Sequence, residues 1–291
     1  MNGAENELNK VILCPNATRD DGLKVTTTVN EMLRKCKIRT VICPFFEAGD
    51  IPLPERLHYS TIDREISDAD MALTFGGDGT ILRAARALSD TNIPILAINM
   101  GTKGFMAELE TDELYQIYRV IDGDYSIGRR MMIDVDLIRS GEKIYSGFAL
   151  NDVVVGSMGR VVDLEIFGDE HAITRFSGDG VIISTPTGST AYSMAAGGPV
   201  VEPSAENIIV TPICPHVLVA KSFVLAPDRR ITAVLGTRRL NPAYLAVDGQ
   251  NIDLEPGDMV TVRKSQRETR LVQLSNKSFY KTLHDKLGER T

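Results

Sequence analysis

Cysteine and histidine are scarce: only Cys14, Cys36, Cys43 and Cys214, with His58, His171, His216 and His284, occur in 291 residues. No two cysteines form a C-x-x-C pair and the histidines are scattered, so neither a zinc site nor a disulfide framework is indicated. Cys14 and Cys43 fall within apolar runs, which marks them as core thiols rather than reactive ones. A block of lysine or arginine is also missing, and the formal net charge is -7. Electrostatic capture of nucleic acid or of an anionic membrane surface is therefore not indicated, and any site for a polyanion must be local. No apolar run approaches membrane-spanning length, and Met1 to Lys10 is polar and acidic where a signal sequence would be basic and apolar. These absences lead us to expect a cytoplasmic, reduced protein.

What is present is enough for two ordinary domains, since 43% of the chain is apolar. Val11–Pro15 is a short strand-like run ended by proline. Val25, Val29, Met32, Leu33 and Cys36 then recur at helical spacing, and Arg39–Cys43 reads as the next strand. A β-α-β beginning implies a parallel sheet with right-handed crossovers. Phe45 to Pro54 reads as a loop with Gly49 and Pro52. Met71–Phe75 and Ile93–Ile98 read as further strands around a helix over Thr80–Leu88. Thr111 is placed as an N-cap, with Leu114, Ile117, Tyr118 and Ile121 forming one face of the helix that follows.

Near Tyr125 the period changes. Ile133, Val135 and Leu137 alternate with Asp134 and Asp136, and Val162, Leu164 and Ile166 alternate with Asp163 and Glu165, which predicts half-buried antiparallel strands. Gly141-Glu142-Lys143 and Gly168-Asp169-Glu170 read as hairpin turns, and further strand-like runs continue to Arg263. Phe279, Leu283 and Leu287 then share one face of a final helix. The expected fold is an α/β domain over 1–124 with a mainly parallel sheet, completed by 265–291, and a β-rich domain over 125–264. The final helix is expected to pack back on the first domain.

The chemistry is concentrated at Gly76-Gly77-Asp78-Gly79-Thr80, between an apolar run and a helical run. Glycines there allow a bulky ligand close to the backbone, and the helix N-terminus aims N–H groups at an anion, so the geometry suits phosphate. Asp78 is electrostatically misplaced beside phosphate unless it serves a neighbouring hydroxyl or metal, and it reads as the residue that handles a nucleophile. Taken alone, this turn is as compatible with a plain glycine turn capped by Asp78. A second glycine turn, Asn99-Met100-Gly101-Thr102-Lys103-Gly104-Phe105-Met106, follows the next strand, where ligands of open parallel sheets bind.

A second block, Ser177-Gly178-Asp179-Gly180 running on to Thr185-Pro186-Thr187-Gly188-Ser189-Thr190-Ala191-Tyr192-Ser193, repeats the Gly-Asp-Gly theme. With the first turn and Asn151-Asp152 in the same order, the chain resembles the NAD kinase family, which phosphorylates NAD to NADP. The resemblance spans about half of the chain and implies a β-sandwich-like second domain. It gives Asp78 the task of activating or orienting the adenosine 2′-hydroxyl of NAD, with Gly76, Gly77, Gly79 and Thr80 cradling phosphates. Asn151 and Asp152 would hold nucleobase and ribose, Asp152 being one methylene shorter than the glutamate usual there. Asp179 would approach the nicotinamide end, and Thr187, Thr190, Ala191 and Tyr192 would line the adenine and ribose pocket.

Magnesium is expected to arrive on ATP, the donor being ATP or polyphosphate, with no metal ligand named among the side chains. The resemblance further implies a homodimer or homotetramer. Arg83, Arg86, Arg175 and Lys103 could each reach a phosphate or simply be solvated, and Asp248-Gly249-Gln250 resembles a late family motif but is also a plausible turn. Two other readings stay open: a kinase with the same turn acting on a lipid or sugar phosphate, and a non-catalytic NAD(P) sensor.

Overall fold

The computed structural model describes residues 8–45, 53–101, 104–216, 221–238, 241–274 and 278–288. Most of the loop expected after Phe45, and Thr102 and Lys103 of the second glycine turn, lie outside the described residues. The chain divides into two compact units, Met1–Arg129 with Thr269–Thr291, and Arg130–Glu268.

The first unit is built on β1 (Lys10–Pro15), α1 (Lys24–Lys35), β2 (Arg39–Ile42), α2 (Ile62–Glu65), β3 (Met71–Gly76), α3 (Asp78–Ala87), β4 (Ile95–Asn99) and α4 (Ile117–Ile121). Its strands run parallel in the order β2-β1-β3-β4, with Leu13 beside Leu73 and Leu73 beside Leu96. Every residue of β1, β3 and β4 is buried, as expected of strands covered on both faces. Helix α1 turns Val29 and Leu33 into this core with Leu23, and half-buries Val25 and Met32. Cys36 departs from that face and is exposed, because the helix ends at Lys35 and the chain turns through Lys37 at φ 64°.

Cys14 and Cys43 are buried here. Burial pushes both thiols up, Cys43 to about 12, so neither is a ready nucleophile. Lys10 is buried beside Glu65 and Asp68, which hold its ammonium as an ion pair.

The helix expected from Thr111 forms late. A 3₁₀ turn at Leu114–Gln116 precedes the short α4, Thr111 caps nothing, and Tyr118 is exposed. Neither the 3₁₀ turn nor α4 carries a side-chain cap; the Glu113 carboxylate accepts the Glu110 N–H at 2.9 Å in the turn that precedes them.

The second unit is antiparallel throughout. It contains β5 (Ser126–Arg139, from Arg130 onward), β6 (Glu142–Ala149), β7 (Asp152–Ser157), β8 (Val162–Gly168), β9 (His171–Gly178) and β10 (Gly180–Ser184). After α5 (Tyr192–Ala195) come β11 (Ile208–Ile213), β12 (Phe223–Leu225), β13 (Ile231–Leu235), β14 (Ala243–Val247), β15 (Gln250–Leu254) and β16 (Met259–Gln273). One sheet has the order β12-β11-β10-β7-β14-β15. The other runs β16-β13-β8-β9, with β5 paired to β16 and β6. Alternate residues of both sheets, such as Val135, Leu164, Val181 and Leu245, meet in one core. The outward residues of β8 pair instead, Asp163 with the Ser177 hydroxyl and Glu165 with Arg175 at 2.6 Å, which accounts for Arg175.

Two-residue turns close three hairpins with left-handed backbone where it is needed, at Ser140-Gly141, Asp169 and Asp248-Gly249. Arg139 grips the buried Asp258 carboxylate bidentately at 3.0 and 2.7 Å. The end of β16 returns to the first unit, where Leu271 lies parallel beside Ile95. The last helix, α6 (Phe279–Gly288), also belongs to that unit, with Lys286 over the Phe105 ring at 3.9 Å. Among the described residues, no helix is long and apolar enough to cross a membrane.

Candidate active site

In the first unit, β3 ends at Gly76, Gly77 is extended at the helix N-cap, and Asp78 is the first residue of α3. The helix therefore starts two residues earlier than Thr80, and its first turn is the glycine turn itself. Gly77 and Gly79 have open space where a Cβ would stand, so that side of the turn is free to be approached. Gly76 is different. A Cβ there would stand 2.8 Å from Thr80 Cβ and closer still to Thr80 Oγ1, so glycine is required for the turn to close. The Thr80 hydroxyl is buried and accepts from Asn16 Nδ2 at 3.3 Å, while Asn16 Oδ1 accepts from the Thr18 N–H and hydroxyl. Thr80 thus ties β1's exit to the turn.

The Asp78 carboxylate does not project into the glycine turn. Its Oδ2 accepts the Phe105 N–H at 2.9 Å and its Oδ1 accepts the Met106 N–H at 3.3 Å. The two glycine turns are thereby joined through this one side chain. Gly104 is the close-approach residue, because a Cβ on it would stand 2.9 Å from Asp78 Cγ and nearer still to Oδ1. A carboxylate has about four acceptor sites, so two remain after these bonds. At the end of β4, Asn99 donates to Glu110 Oε2 at 2.8 Å, while Asn99 Oδ1 is buried with no hydrogen-bond partner among the described residues. Arg83 reaches the Phe45 carbonyl at 3.3 Å.

In the second unit, Asn151-Asp152 forms the turn from β6 into β7. Three consecutive N–H groups, of Leu150, Asn151 and Asp152, donate to the Asp248 carboxylate at 2.8, 2.9 and 3.2 Å. The Asp248 N–H donates back to the Asp152 carbonyl at 3.1 Å. Asp152 is buried, and burial first, then the nearby Asp248 charge, pushes its carboxyl up to about 7.

The hydroxyl-rich block packs on the same turn. Thr185 N–H donates to the Asn151 carbonyl at 2.9 Å and its hydroxyl donates to the Leu150 carbonyl at 2.5 Å. Gly188 lies so close that a Cβ would stand 2.8 Å from Asn151 Cα. The Thr190 hydroxyl donates to the Thr187 carbonyl at 3.2 Å, and the Ala191 N–H to the Gly188 carbonyl at 2.9 Å.

Three buried polar atoms around this turn have no hydrogen-bond partner among the described residues: Asn151 Oδ1, Ser184 Oγ and Thr187 Oγ1. Buried polar groups in native proteins are nearly always satisfied, so these atoms are left for an ordered water or a ligand to satisfy. Tyr192 is 45% exposed. Burial and then the neighbouring Tyr244, Cys214, Asp179 and Asp152 push its hydroxyl up, so Asp152, Asp179 and Tyr192 share one neighbourhood. Asp179 itself is exposed and held by its backbone, its N–H on the Ile213 carbonyl at 3.0 Å.

Sequence reasoning missed Asn16, Tyr244, Cys214, and the tie between Asp78 and Phe105. Only for Asp248 was there a signal, the Asp-Gly-Gln motif. Among the described residues no group of three or more His, Cys, Asp or Glu could hold a metal ion.

Residues 18–125 match the model of the ATP-NAD kinase N-terminal domain, and residues 150–274 that of the ATP-NAD kinase C-terminal domain. The chain is 36% identical over 287 residues to an NAD kinase of Acetivibrio thermocellus, covering 97% of this chain and 98% of that one. It is 43% identical over 228 residues to an NAD kinase of Geobacter sulfurreducens, covering 76% and 80%. Among solved structures, a yeast NADH kinase complexed with NADH superposes with a TM-score of 0.86 at 25% identity, over 98% of this chain and 88% of that one. Two matched domains in the expected order, and identity over nearly the whole length, show that the chain belongs to the NAD kinase family.

Proposed function

We propose that this NAD kinase transfers the γ-phosphoryl group of ATP to the adenosine 2′-hydroxyl of NAD, and that Asp78 receives the proton of that hydroxyl. The observation that carries the reading is the Asp78 carboxylate, fixed by the Phe105 and Met106 N–H groups at the start of a helix whose glycine turn is open to an anion. A ribose hydroxyl is a weak nucleophile at neutral pH, so transfer needs an oriented acceptor and stabilisation of phosphate charge. In the step, the 2′-O–H bond breaks toward Asp78, the O–P bond forms, and the bond from phosphorus to the ADP oxygen breaks. The proton on Asp78 passes to solvent.

Gly76, Gly77 and Gly79 offer backbone and Thr80 its hydroxyl to the phosphates, and magnesium enters with the triphosphate as part of that substrate, neutralising its charge. Asn151 Oδ1, Ser184 Oγ and Thr187 Oγ1 supply unsatisfied polar atoms for a nucleobase, Asp152 for a ribose, and Tyr192 a ring to pack. Thr190 and Ala191 line that pocket through the backbone, and Asp179 takes the nicotinamide end. Polyphosphate as a second donor, a homodimer or homotetramer, and a cytoplasmic setting are part of the same reading and rest on family membership.

The test is product identity. Incubation with NAD and magnesium-ATP should give a product whose phosphorus resonance and enzymatic behaviour are those of 2′-phosphorylated NAD. Phosphate on another hydroxyl, or phosphorylation of lipid or sugar acceptors with NAD untouched, would overturn it. Binding of NAD with no turnover would favour a sensor.

A further inference from the structure

We infer that Asp248 is a positioning residue for the dinucleotide: its carboxylate holds the Leu150–Asp152 turn in the shape through which Asn151 and Asp152 grip NAD. The inference rests on the assignment of Asn151 and Asp152 to NAD binding.

Asp248 sits at φ 45° and Gly249 at φ 83°, between strands paired Val247 to Gln250. Turn chemistry alone would be met equally well by Asn-Gly, with the side chain turned to water. Here the side chain turns the other way, onto a chain segment 96 to 98 residues distant, and collects three successive N–H donors. A carboxylate can accept all three because both oxygens are acceptors. An asparagine amide has a single acceptor oxygen, and its NH₂ would face one of those donors. The arrangement therefore selects aspartate over the usual turn residue.

It does so at a cost. The negative charge is set beside Asp152, which is already buried, and makes it harder to ionise. A purely structural turn would gain by avoiding that charge.

The anchor is also stiff. Val247 pairs with Val153 of β7 on one side and with Gln250 on the other, so Asp248 is fixed to the very strand that begins at Asp152. The consequence is that Asn151 Oδ1 and the Asp152 carboxyl are presented from a backbone that has nowhere to relax.

The test is Asp248→Asn beside Asn151→Ala, assayed with NAD and magnesium-ATP. Asparagine tolerates the left-handed turn, so the change removes charge and at least one charge-assisted hydrogen bond while leaving the hairpin. The expected result is a rise of about 10-fold in KM for NAD, the equivalent of one such bond, with KM for ATP nearly unchanged. A second readout is the acidic limb of kcat/KM. Asp248 and Tyr192 are the ionisable groups that act with Asp152, and removing the Asp248 charge should move that limb to lower pH. That shift reports the charge beside Asp152, while a rise in KM for NAD with KM for ATP unchanged is what a general structural lesion would not produce.

If Asn151→Ala raises KM for NAD but Asp248→Asn changes neither KM nor the limb, the inference is overturned and the assignment of Asn151 survives. If Asn151→Ala leaves KM for NAD unchanged, the assignment fails and takes the inference with it. Should Asp248→Asn not fold, amide exchange in the unaltered protein decides: slow exchange at Asn151 and Asp152 supports the inference, and exchange at the rate of open amides overturns it.

Discussion

Gly104→Ala adds one methyl group aimed at Asp78. The new Cβ would lie 2.9 Å from Asp78 Cγ and closer to Oδ1, inside the distance at which real Cβ contacts occur. Either the carboxylate or the Phe105–Met106 backbone must give way, and both are tied to each other by the bonds at 2.9 and 3.3 Å. A displacement of about 1 Å at a positioned catalytic group costs on the order of 100-fold in rate. Loss of the two backbone bonds also withdraws ~1–3 kcal/mol of stability. Initial rates of NADP formation should therefore show kcat down by roughly 100-fold, with KM for NAD changed by less than about 3-fold, because the nucleobase residues are untouched. A thermal melt run in parallel confirms that the variant is folded at the assay temperature. A folded Gly104→Ala enzyme whose kcat stays within about 3-fold of the parent would refute the placement of Asp78 at the reacting hydroxyl.

Two further predictions concern stability. Asp152 holds its proton up to about 7 in the folded protein, against about 3.9 when unfolded. The favourable contribution is thus complete below about pH 4 and is lost as pH rises through 7, up to ~4 kcal/mol in all, so Asp152→Asn should flatten the fall in melting temperature between pH 5 and 8. Arg139→Met should leave the buried Asp258 carboxylate without its bidentate partner and lower stability by ~3 kcal/mol, read as a lower denaturant midpoint. An unchanged midpoint would mean that the pair contributes little.

The strands of the first unit were legible because a parallel sheet covered on both faces is apolar without alternation, as in Val11–Leu13 and Met71–Leu73. The second unit was legible for the opposite reason, since Val162, Leu164 and Ile166 face the core while Asp163 and Glu165 bond outward. The helix expected at Thr111 illustrates the limit. Threonine there has the right propensity, but helical structure begins only at Leu114 and neither the 3₁₀ turn nor α4 takes a side-chain cap.

The residues of the candidate site were readable where glycine, asparagine and hydroxyls cluster along the chain. What holds them was not readable. Asp78 is bonded 27 and 28 residues away, and Asp248 bonds a turn almost 100 residues distant. Such contacts depend on the folded strand order, which residue type and spacing do not encode. Thr80 marks the same boundary, its hydroxyl oxygen accepting from Asn16 at another strand's exit while its hydrogen is left to donate elsewhere.

The most direct measurement is Asp78→Asn, assayed for turnover and, separately, for NAD affinity. Asparagine keeps the size and one acceptor for the Phe105 or Met106 N–H but cannot take a proton from a hydroxyl. We expect kcat to fall by at least about 1,000-fold while the dissociation constant for NAD stays within roughly 3-fold, the signature of a group that acts in the transition state. Retained turnover, or a loss of NAD binding as large as the loss of rate, would contradict the role given to Asp78.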